Sequence, residues 1–262
     1  MRICRCVTNM IFALGLTVSN VNPRATLYLG GTDASLAASW YSNEGLTTLA
    51  GRIPNANDIV EFRGTSRTIT GGFTCYMLKL TQSSRTWTVN CDVATFDLML
   101  ITGNSVVWNQ GGNTFVGNIY CAGDNCSFAI DVQEVIPGMV SYEDLYVTIA
   151  GDFSFSTGNT SGLLTASGTS SGITGYHGGD ATFSGQGATN SGEVSGVNVI
   201  FSGVESNNGN AVTGDAYFLG PFSLNEGGVS GNAYVALGAG STGTGDIGGI
   251  VSGTTTYPYT PP

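Results

Sequence analysis

Residues 179–253 read GDATFSGQGATNSGEVSG, VNVIFSGVESNNGNAVTG, DAYFLGPFSLNEGGVSG and NAYVALGAGSTGTGDIGGIVSG, which is one phrase in four versions. Each version ends in Val, then Ser or Thr, then Gly, and within each an alternating apolar pair recurs every 17 or 18 residues. The closing valines are Val194, Val212, Val229 and Val251, and the apolar pairs are Ala181/Phe183, Val199/Phe201, Ala216/Phe218 and Ala233/Val235.

These short repeats determine the fold class that we predict. A repeat of this size cannot bury an apolar face alone, so it must stack on copies of itself. Strands that alternate with Gly-rich turns stack as coils about 4.8 Å apart. We therefore predict an all-β parallel β-helix or β-solenoid with coils of 17 to 22 residues in the repeat region. Phe183, Phe201 and Phe218 are predicted to form a structural ladder in its core.

The composition agrees with this fold class. Among 262 residues there are 40 Gly, only 10% are charged, and Ser, Thr, Val and aromatic residues are abundant. Such a composition favours strands and turns over helices. A chain of this length can also bury a sizeable core.

The charge is unevenly distributed along the chain. All eight Lys and Arg residues lie at or before Arg85, whereas the 177 residues after it hold fourteen of the eighteen acids. Nucleic-acid binding depends on Lys and Arg that neutralise phosphates. DNA, RNA and anionic membranes are therefore not expected as partners of the repeats. A negative surface is also typical of a long β-protein that stays soluble.

Residues 26–66 differ from the repeats and are predicted to form an N-terminal cap. They contain Gly31-Thr-Asp33, Ser39-Trp40 and the stretch from Pro54 to Phe62. This order resembles the segment that opens many autotransporter-like and phage-borne β-helix surface proteins. The resemblance implies that Trp40 covers the open end of the first coil, and that Asp58 fixes a turn by accepting hydrogen bonds from nearby amides.

The resemblance extends over most of the chain, because GNSVVWNQGGNTFVGNIY and the later repeats are similar to segments of the same proteins. We divide the chain into six segments. They are a cleaved leader or N-terminal arm at 1–25, the cap at 26–66, a first solenoid block at 67–130, an irregular insertion or block boundary at 131–178, the repeat solenoid at 179–253 and a Pro-rich tail at 254–262.

Two of these segments bear on attachment. The apolar run at residues 10–18 is too short for a membrane span, and no later segment reaches the required length of about 20 apolar residues. Residues 131–144 are expected to form an exposed recognition loop, since loops that project from a rigid scaffold often bind partners.

The six cysteines allow three interpretations from sequence. Cys121 and Cys126 flank a turn that can bring them together as a disulfide, typical of an oxidising compartment. Buried free thiols are the second interpretation. A metal site is the third, although the sequence has no Cys-x-x-Cys pair and its single histidine, His177, is distant. We expect His177, within Gly-Tyr-His-Gly-Gly, to be an exposed turn residue.

Calcium is the other ligand that the sequence suggests. Asp215 and Asp246 follow Gly-rich turns that faintly match the repeats-in-toxin nonapeptide, in which turn carboxylates bind the ion. The acidic residue does not repeat, however, because we place Val197 and Asn232 at the positions equivalent to Asp215. No cofactor and no catalytic residue are assigned.

We expect a non-enzymatic structural and adhesive solenoid on a virion, as a tail fibre, spike or decoration, or on a bacterial surface. Its expected partners are itself as a homo-oligomer, other structural proteins, surface glycans or a host receptor. The absence of a visible sorting signal or membrane span favours assembly through protein contacts, as in a virion. The alternative is a secreted carbohydrate-active β-helix enzyme, a polysaccharide lyase or glycosidase.

Overall fold

The structure, a computed structural model, describes residues 24–90, 93–110, 114–129, 146–235 and 242–253. Within these ranges the chain forms strands and a single short 3-10 helix, Ala37–Ser39. The strands are β1 Thr26–Leu29, β2 Trp40–Tyr41, β3 Ile59–Phe62, β4 Arg67–Ile69, β5 Phe73–Leu80, β6 Arg85–Val89, β7 Val93–Ile101, β8 Val106–Gln110, β9 Thr114–Cys121, β10 Ser127–Phe128, β11 Tyr146–Ile149, β12 Phe155–Ser156, β13 Thr160–Ser161, β14 Leu163–Ala166, β15 Gly172–Ile173, β16 His177–Gly178, β17 Ala181–Phe183, β18 Thr189–Asn190, β19 Asn198–Phe201, β20 Asn207–Asn208, β21 Asp215–Phe218, β22 Leu224–Asn225, β23 Ala233–Val235, β24 Thr242–Gly243 and β25 Val251–Gly253.

The strands build three faces around one interior. A long sheet of 13 strands has the order β2-β1-β3-β5-β7-β9-β11-β14-β17-β19-β21-β23-β25, and a second sheet of ten runs from β4 to β24. Neighbours are parallel throughout both sheets except β1 and β2. A third face begins with β13 and β16 and continues as single bridges. The chain is therefore an all-β solenoid of about nine turns, and the predicted fold class is confirmed.

The predicted register of the repeats is confirmed in the long sheet. Ala181, Val199, Ala216 and Ala233 pair in series, as do the residues two places later. The Phe183, Phe201 and Phe218 rings stack with centroids 5.0 and 5.1 Å apart and nearly parallel planes. All of these side chains are buried, so the aromatic ladder lies inside the solenoid.

One of the four closing valines does not occupy the predicted position. Val194, Val212 and Val229 bridge one another on the third face, and Ile247 takes the next place in that row. Val251 instead begins β25 and pairs with Ala233 in the long sheet. The prediction for Val251 is wrong, because its Val-Ser-Gly phrase lies in the long sheet and not on the third face. Ile247 provides the buried β-branched side chain that the third face requires.

The solenoid also runs through most of the stretch that seemed irregular from sequence. Strand β11 pairs directly with β9 on one side and with β14 on the other. Residues 146–178 thus form coils in register with their neighbours. The expected recognition loop at 131–144 lies outside the described residues.

Each coil turns from the long sheet to the second sheet at a residue with positive φ, which we call the left-handed corner. Its backbone N–H donates to a carbonyl of the next coil, for example Asn125 N to Asp152 O at 2.8 Å. At every described corner except Ser84, a glycine stands two residues earlier, and a Cβ on Gly123 would lie 2.1 Å from the Gly103 carbonyl oxygen. With φ between 51° and 64°, the corner residues are Ser84, Ser105, Asn125, Phe153, Ser170, Gly187, Glu205 and Phe222.

The interior position of Phe201 gives a direct test of the register. Phe201→Asp would bury an unpaired carboxylate between Phe183 and Phe218, and we expect it to lower the free energy of unfolding by more than about 3 kcal/mol. Denaturant titration followed by circular dichroism measures the change. The matched control Ser202→Asp puts the same charge on the next, exposed residue and should cost little. Equal stability of the two variants would contradict the register.

Candidate functional sites along the solenoid

Trp40 lies at the first edge of the long sheet, in β2. Its side chain is fully buried, and its ring packs edge-on against Phe73 with centroids 5.4 Å apart. The indole N–H donates to the carbonyl of Ala34 at 2.8 Å. An aromatic ring with a satisfied donor therefore packs into the core at this edge of the long sheet.

Asp58 holds the turn before β3. One carboxylate oxygen accepts the Asn55 amide at 2.8 Å, and both oxygens accept from the Arg52 guanidinium, at 2.5 and 2.7 Å. Burial opposes ionisation, but the guanidinium and the amide outweigh it, so the pKa of Asp58 lies below its ordinary value. The hydrogen bond from a backbone amide to Asp58 was expected from sequence. The ion pair with Arg52 was missed, because nothing in a loop sequence marks a partner six residues away.

A second ladder inside the solenoid was also missed. Asn190, Asn208 and Asn225 are completely buried at successive positions of the second sheet. The Asn190 amide donates to Asn208 at 2.8 Å, and the Asn208 amide donates to Asn225 at 2.7 Å. Buried amides stack in this way because each offers a donor and an acceptor along the solenoid axis. The sequence signal was an Asn seven residues after each Phe of the aromatic ladder, a spacing shared by the repeats.

The central amide of this ladder should contribute strongly to stability. Asn208→Ala leaves the Asn190 donor and the Asn225 acceptor buried without partners, and we expect a loss of about 2 to 4 kcal/mol in unfolding free energy. Urea unfolding measures it. Asn207→Ala, on the outward side of the same strand, is the control and should cost less than about 1 kcal/mol, because its contact to Glu226 is exposed. Similar losses in both variants would mean that the inward ladder has no special role.

His177 is not the exposed turn residue that we expected. It is fully buried in the third-face row between Thr160 and Val194. Its Nδ1 accepts the Thr160 hydroxyl at 3.0 Å, and its Nε2 donates to the Asp180 carbonyl at 3.3 Å. The Gly-rich surroundings suggested a turn, but they belong to the corners on either side. Burial lowers the pKa of His177, and the nearby Asp180 only partly offsets this effect.

The buried imidazole makes stability depend on pH with a definite sign. The folded chain has the lower pKa, so on acidification the unfolded chain binds the proton first. The stabilisation is complete above the ordinary pKa of 6.5 and decreases as the pH falls below it. We expect urea midpoints to decrease between pH 7 and pH 5.5 in the parent chain. His177→Val, which copies Val194, should remove that part of the slope, and an unchanged slope would contradict the assignment.

The calcium candidates do not form one site. Asp215 begins β21, where its Oδ1 accepts the Asn232 backbone amide at 2.7 Å, and Asn198 and Asn232 share its position in neighbouring coils. The sequence assignment of Val197 to this position was one residue off. Asp246 is exposed before the third face, in a different part of the coil. Among the described residues, no three His, Cys, Asp or Glu side chains are grouped to hold a metal ion.

Cys121 and Cys126 do lie together, as buried free thiols in hydrogen-bonding contact. The Cys126 sulfur lies 3.2 Å from the Gly103 carbonyl oxygen, and the Cys121 sulfur lies 3.7 Å from that of Gly123. Cys75 is also buried. Cys4, Cys6 and Cys91 lie outside the described residues, and the disulfide stays a prediction.

Exposed aromatics occupy the left-handed corner at two coils. Phe153 and Phe222 are 55% and 64% exposed, although a bulky residue with positive φ costs on the order of 1 to 3 kcal/mol. They are four coils apart, or about 19 Å at the strand spacing. Val204 and Leu219 are exposed close to Phe222. We call Phe153, Val204, Leu219 and Phe222 the apolar ridge; it was missed because Gly, not Phe, is the usual sequence mark of such a corner.

Comparison of the chain with protein-family models, with curated proteins and with solved structures gave no match. The β-solenoid class therefore rests on the strand pairing of this molecule alone. Over the ranges that the structure describes, no helix has the length and apolar character needed to cross a membrane.

Proposed function

We propose that the chain is a non-enzymatic structural and adhesive module exposed on a virion, as a tail fibre, spike or decoration, or on a bacterial surface. The observation behind the proposal is the continuous stack of about nine turns that share the same sheets. Such a stack is a stiff rod, because opening one coil breaks backbone bonds to the coils on both sides. A stiff rod serves as a spacer that holds a contact surface away from its base.

The surface chemistry supports the same proposal. The residues after Arg85 have fourteen acids and no Lys or Arg, which disfavours phosphate-rich partners. The apolar ridge provides a contact surface on the exterior. Phe153 and Phe222 are exposed at a position where other coils use Ser, Asn, Gly or Glu, and strain retained at an exposed aromatic is typical of a binding role.

The resemblance to autotransporter-like and phage-borne β-helix surface proteins supports the location. In this chain it rests on the cap motifs around Trp40 and Asp58 and on the Gly-rich repeats. We propose that the module assembles as a homo-oligomer or with other structural proteins, and that the apolar ridge contacts a surface glycan or a host receptor.

Localisation is tested first. Gold-labelled antibodies against the chain should decorate projections in negative-stain images of the native virions or cells that produce it. Label confined to the cell interior would contradict a surface role. Incubation of the purified chain with a panel of bacterial polysaccharides tests the alternative that the chain is an enzyme. Release of reducing ends or unsaturated sugars would show catalysis.

Adhesion is tested with a double substitution that the chain itself suggests. Phe153→Ser with Phe222→Ser installs the residue found at Ser105 and Ser170, so we expect the thermal midpoint to stay the same or rise. Binding to a glycan array and to whole cells should fall at least tenfold. Ser170→Asn, which copies Asn125 at the same corner, is the control and should bind like the parent. Full binding by the double variant would exclude the apolar ridge as the adhesive surface.

A further inference from the structure

From Ser105 to Phe222, each left-handed corner brings the same two inward positions together. The first is the last inward residue of the long-sheet strand, and the second is the first inward residue after the corner, five positions later. Both are buried in each coil that shows them. The pairs are Ile101/Val106, Cys121/Cys126, Ile149/Ser154, Ala166/Ser171, Phe183/Ala188, Phe201/Ser206 and Phe218/Ser223.

Among these described pairs, a single coil has cysteine at both positions, and both sulfur atoms lie beside Gly123. The Cys121 sulfur is 3.7 Å from the Gly123 carbonyl oxygen, and the Cys126 sulfur is 3.0 Å from the place of a Cβ on Gly123. We propose that Cys121 and Cys126 are oxidised to a disulfide that ties the two sides of this corner together within one coil. The proposal does not depend on the function proposed above.

The surroundings hold both sulfur atoms in place. The Cys126 backbone amide donates to Ser154 Oγ at 3.0 Å, and its thiol lies 3.2 Å from the Gly103 carbonyl oxygen of the preceding coil. Cys75 is two strands away along the long sheet, in β5, which is about 10 Å at the strand spacing. That separation exceeds the reach of a disulfide, so Cys75 does not compete for either partner.

The oxidation takes two thiol–disulfide exchange steps. In the open coil, one of the two cysteines attacks as its thiolate a low-molecular-weight disulfide such as oxidised glutathione, forming a mixed disulfide and releasing one glutathione thiolate. That thiolate takes the proton of the other cysteine. The other cysteine then attacks the protein sulfur of the mixed disulfide, forms the protein disulfide and releases the second glutathione as a thiolate, which is protonated by water.

Burial decides when this reaction takes place. Both side chains are at most 1% exposed, so neither oxidant nor reductant reaches the sulfur atoms in the closed coil. The bond must form while the coil is still open during folding. Once the coil has closed, the same burial protects the bond against reduction.

The test uses the full chain refolded from urea, either with a mixture of oxidised and reduced glutathione or with dithiothreitol. Free thiols are blocked with N-ethylmaleimide in urea before digestion with chymotrypsin, since no trypsin site follows Arg85. Cleavage after Tyr120 and Phe128 releases CAGDNCSF, which contains both cysteines and no other. We expect this peptide unblocked and lighter by two hydrogens after glutathione refolding, and doubly blocked after dithiothreitol refolding. A doubly blocked peptide in both samples would overturn the proposal.

Two controls separate this bond from other pairings and from misfolding. Cys126→Ser copies Ser154 and Ser171 at the same position, so it should fold normally with Cys121 blocked, whereas Cys75→Ala should leave the bond intact. Adding dithiothreitol to the oxidised native chain should reduce the bond at least tenfold more slowly than in urea. Equal rates would show that the bond is not the buried one, and a Cys126→Ser chain with Cys121 paired elsewhere would also overturn the assignment.

Discussion

Stacking at a single strand spacing is the constraint on which the other features of this solenoid depend. Backbone hydrogen bonds set coils about 4.8 Å apart, so each inward side chain lies mainly against the residue at its own position one coil away. The position must therefore hold groups that pack on their own kind. Flat Phe rings meet this condition at 5.0 and 5.1 Å, and carboxamides meet it by pairing donor with acceptor at 2.7 and 2.8 Å. An ionised side chain does not meet this condition.

The same constraint shapes the outward surface. In the row that begins the long-sheet strands, Asp180, Asn198, Asp215 and Asn232 alternate acid with amide. Two carboxylates at one strand spacing would repel each other, whereas a carboxylate can accept the backbone amide of the Asn above it, at 2.9 Å for Asp180 and 2.7 Å for Asp215. This alternation explains why the acids do not repeat as a calcium-binding motif would require. In this row the chain thus avoids stacking its charges.

The parts of the fold that could be predicted from the sequence are those that repeat at a fixed spacing. Alternation at 17 or 18 residues was enough to set the register of Phe183, Phe201 and Phe218. Sequence failed where local composition and coil position disagree. His177 lies among glycines yet faces inward, and Val251 repeats a phrase in a different part of the coil. The left-handed corner was invisible because several residue types adopt its conformation, and the apolar ridge follows from that corner. The turn between Cys121 and Cys126 was expected from their spacing.

Three arginines add side-chain contacts near the start of the stack, where β1 pairs with the antiparallel β2 and not with a preceding coil. Their guanidinium groups supplement the backbone ladder there. Arg67 donates to the Leu29 carbonyl at 3.2 Å, and Arg85 donates to that of Gly64 at 2.8 Å. Arg63 pairs with the buried Glu61 at 2.6 Å. Once a full coil is available as template, each new coil is satisfied by the one beneath it. No further cation is then needed for the fold, and the later sequence is free to be wholly acidic.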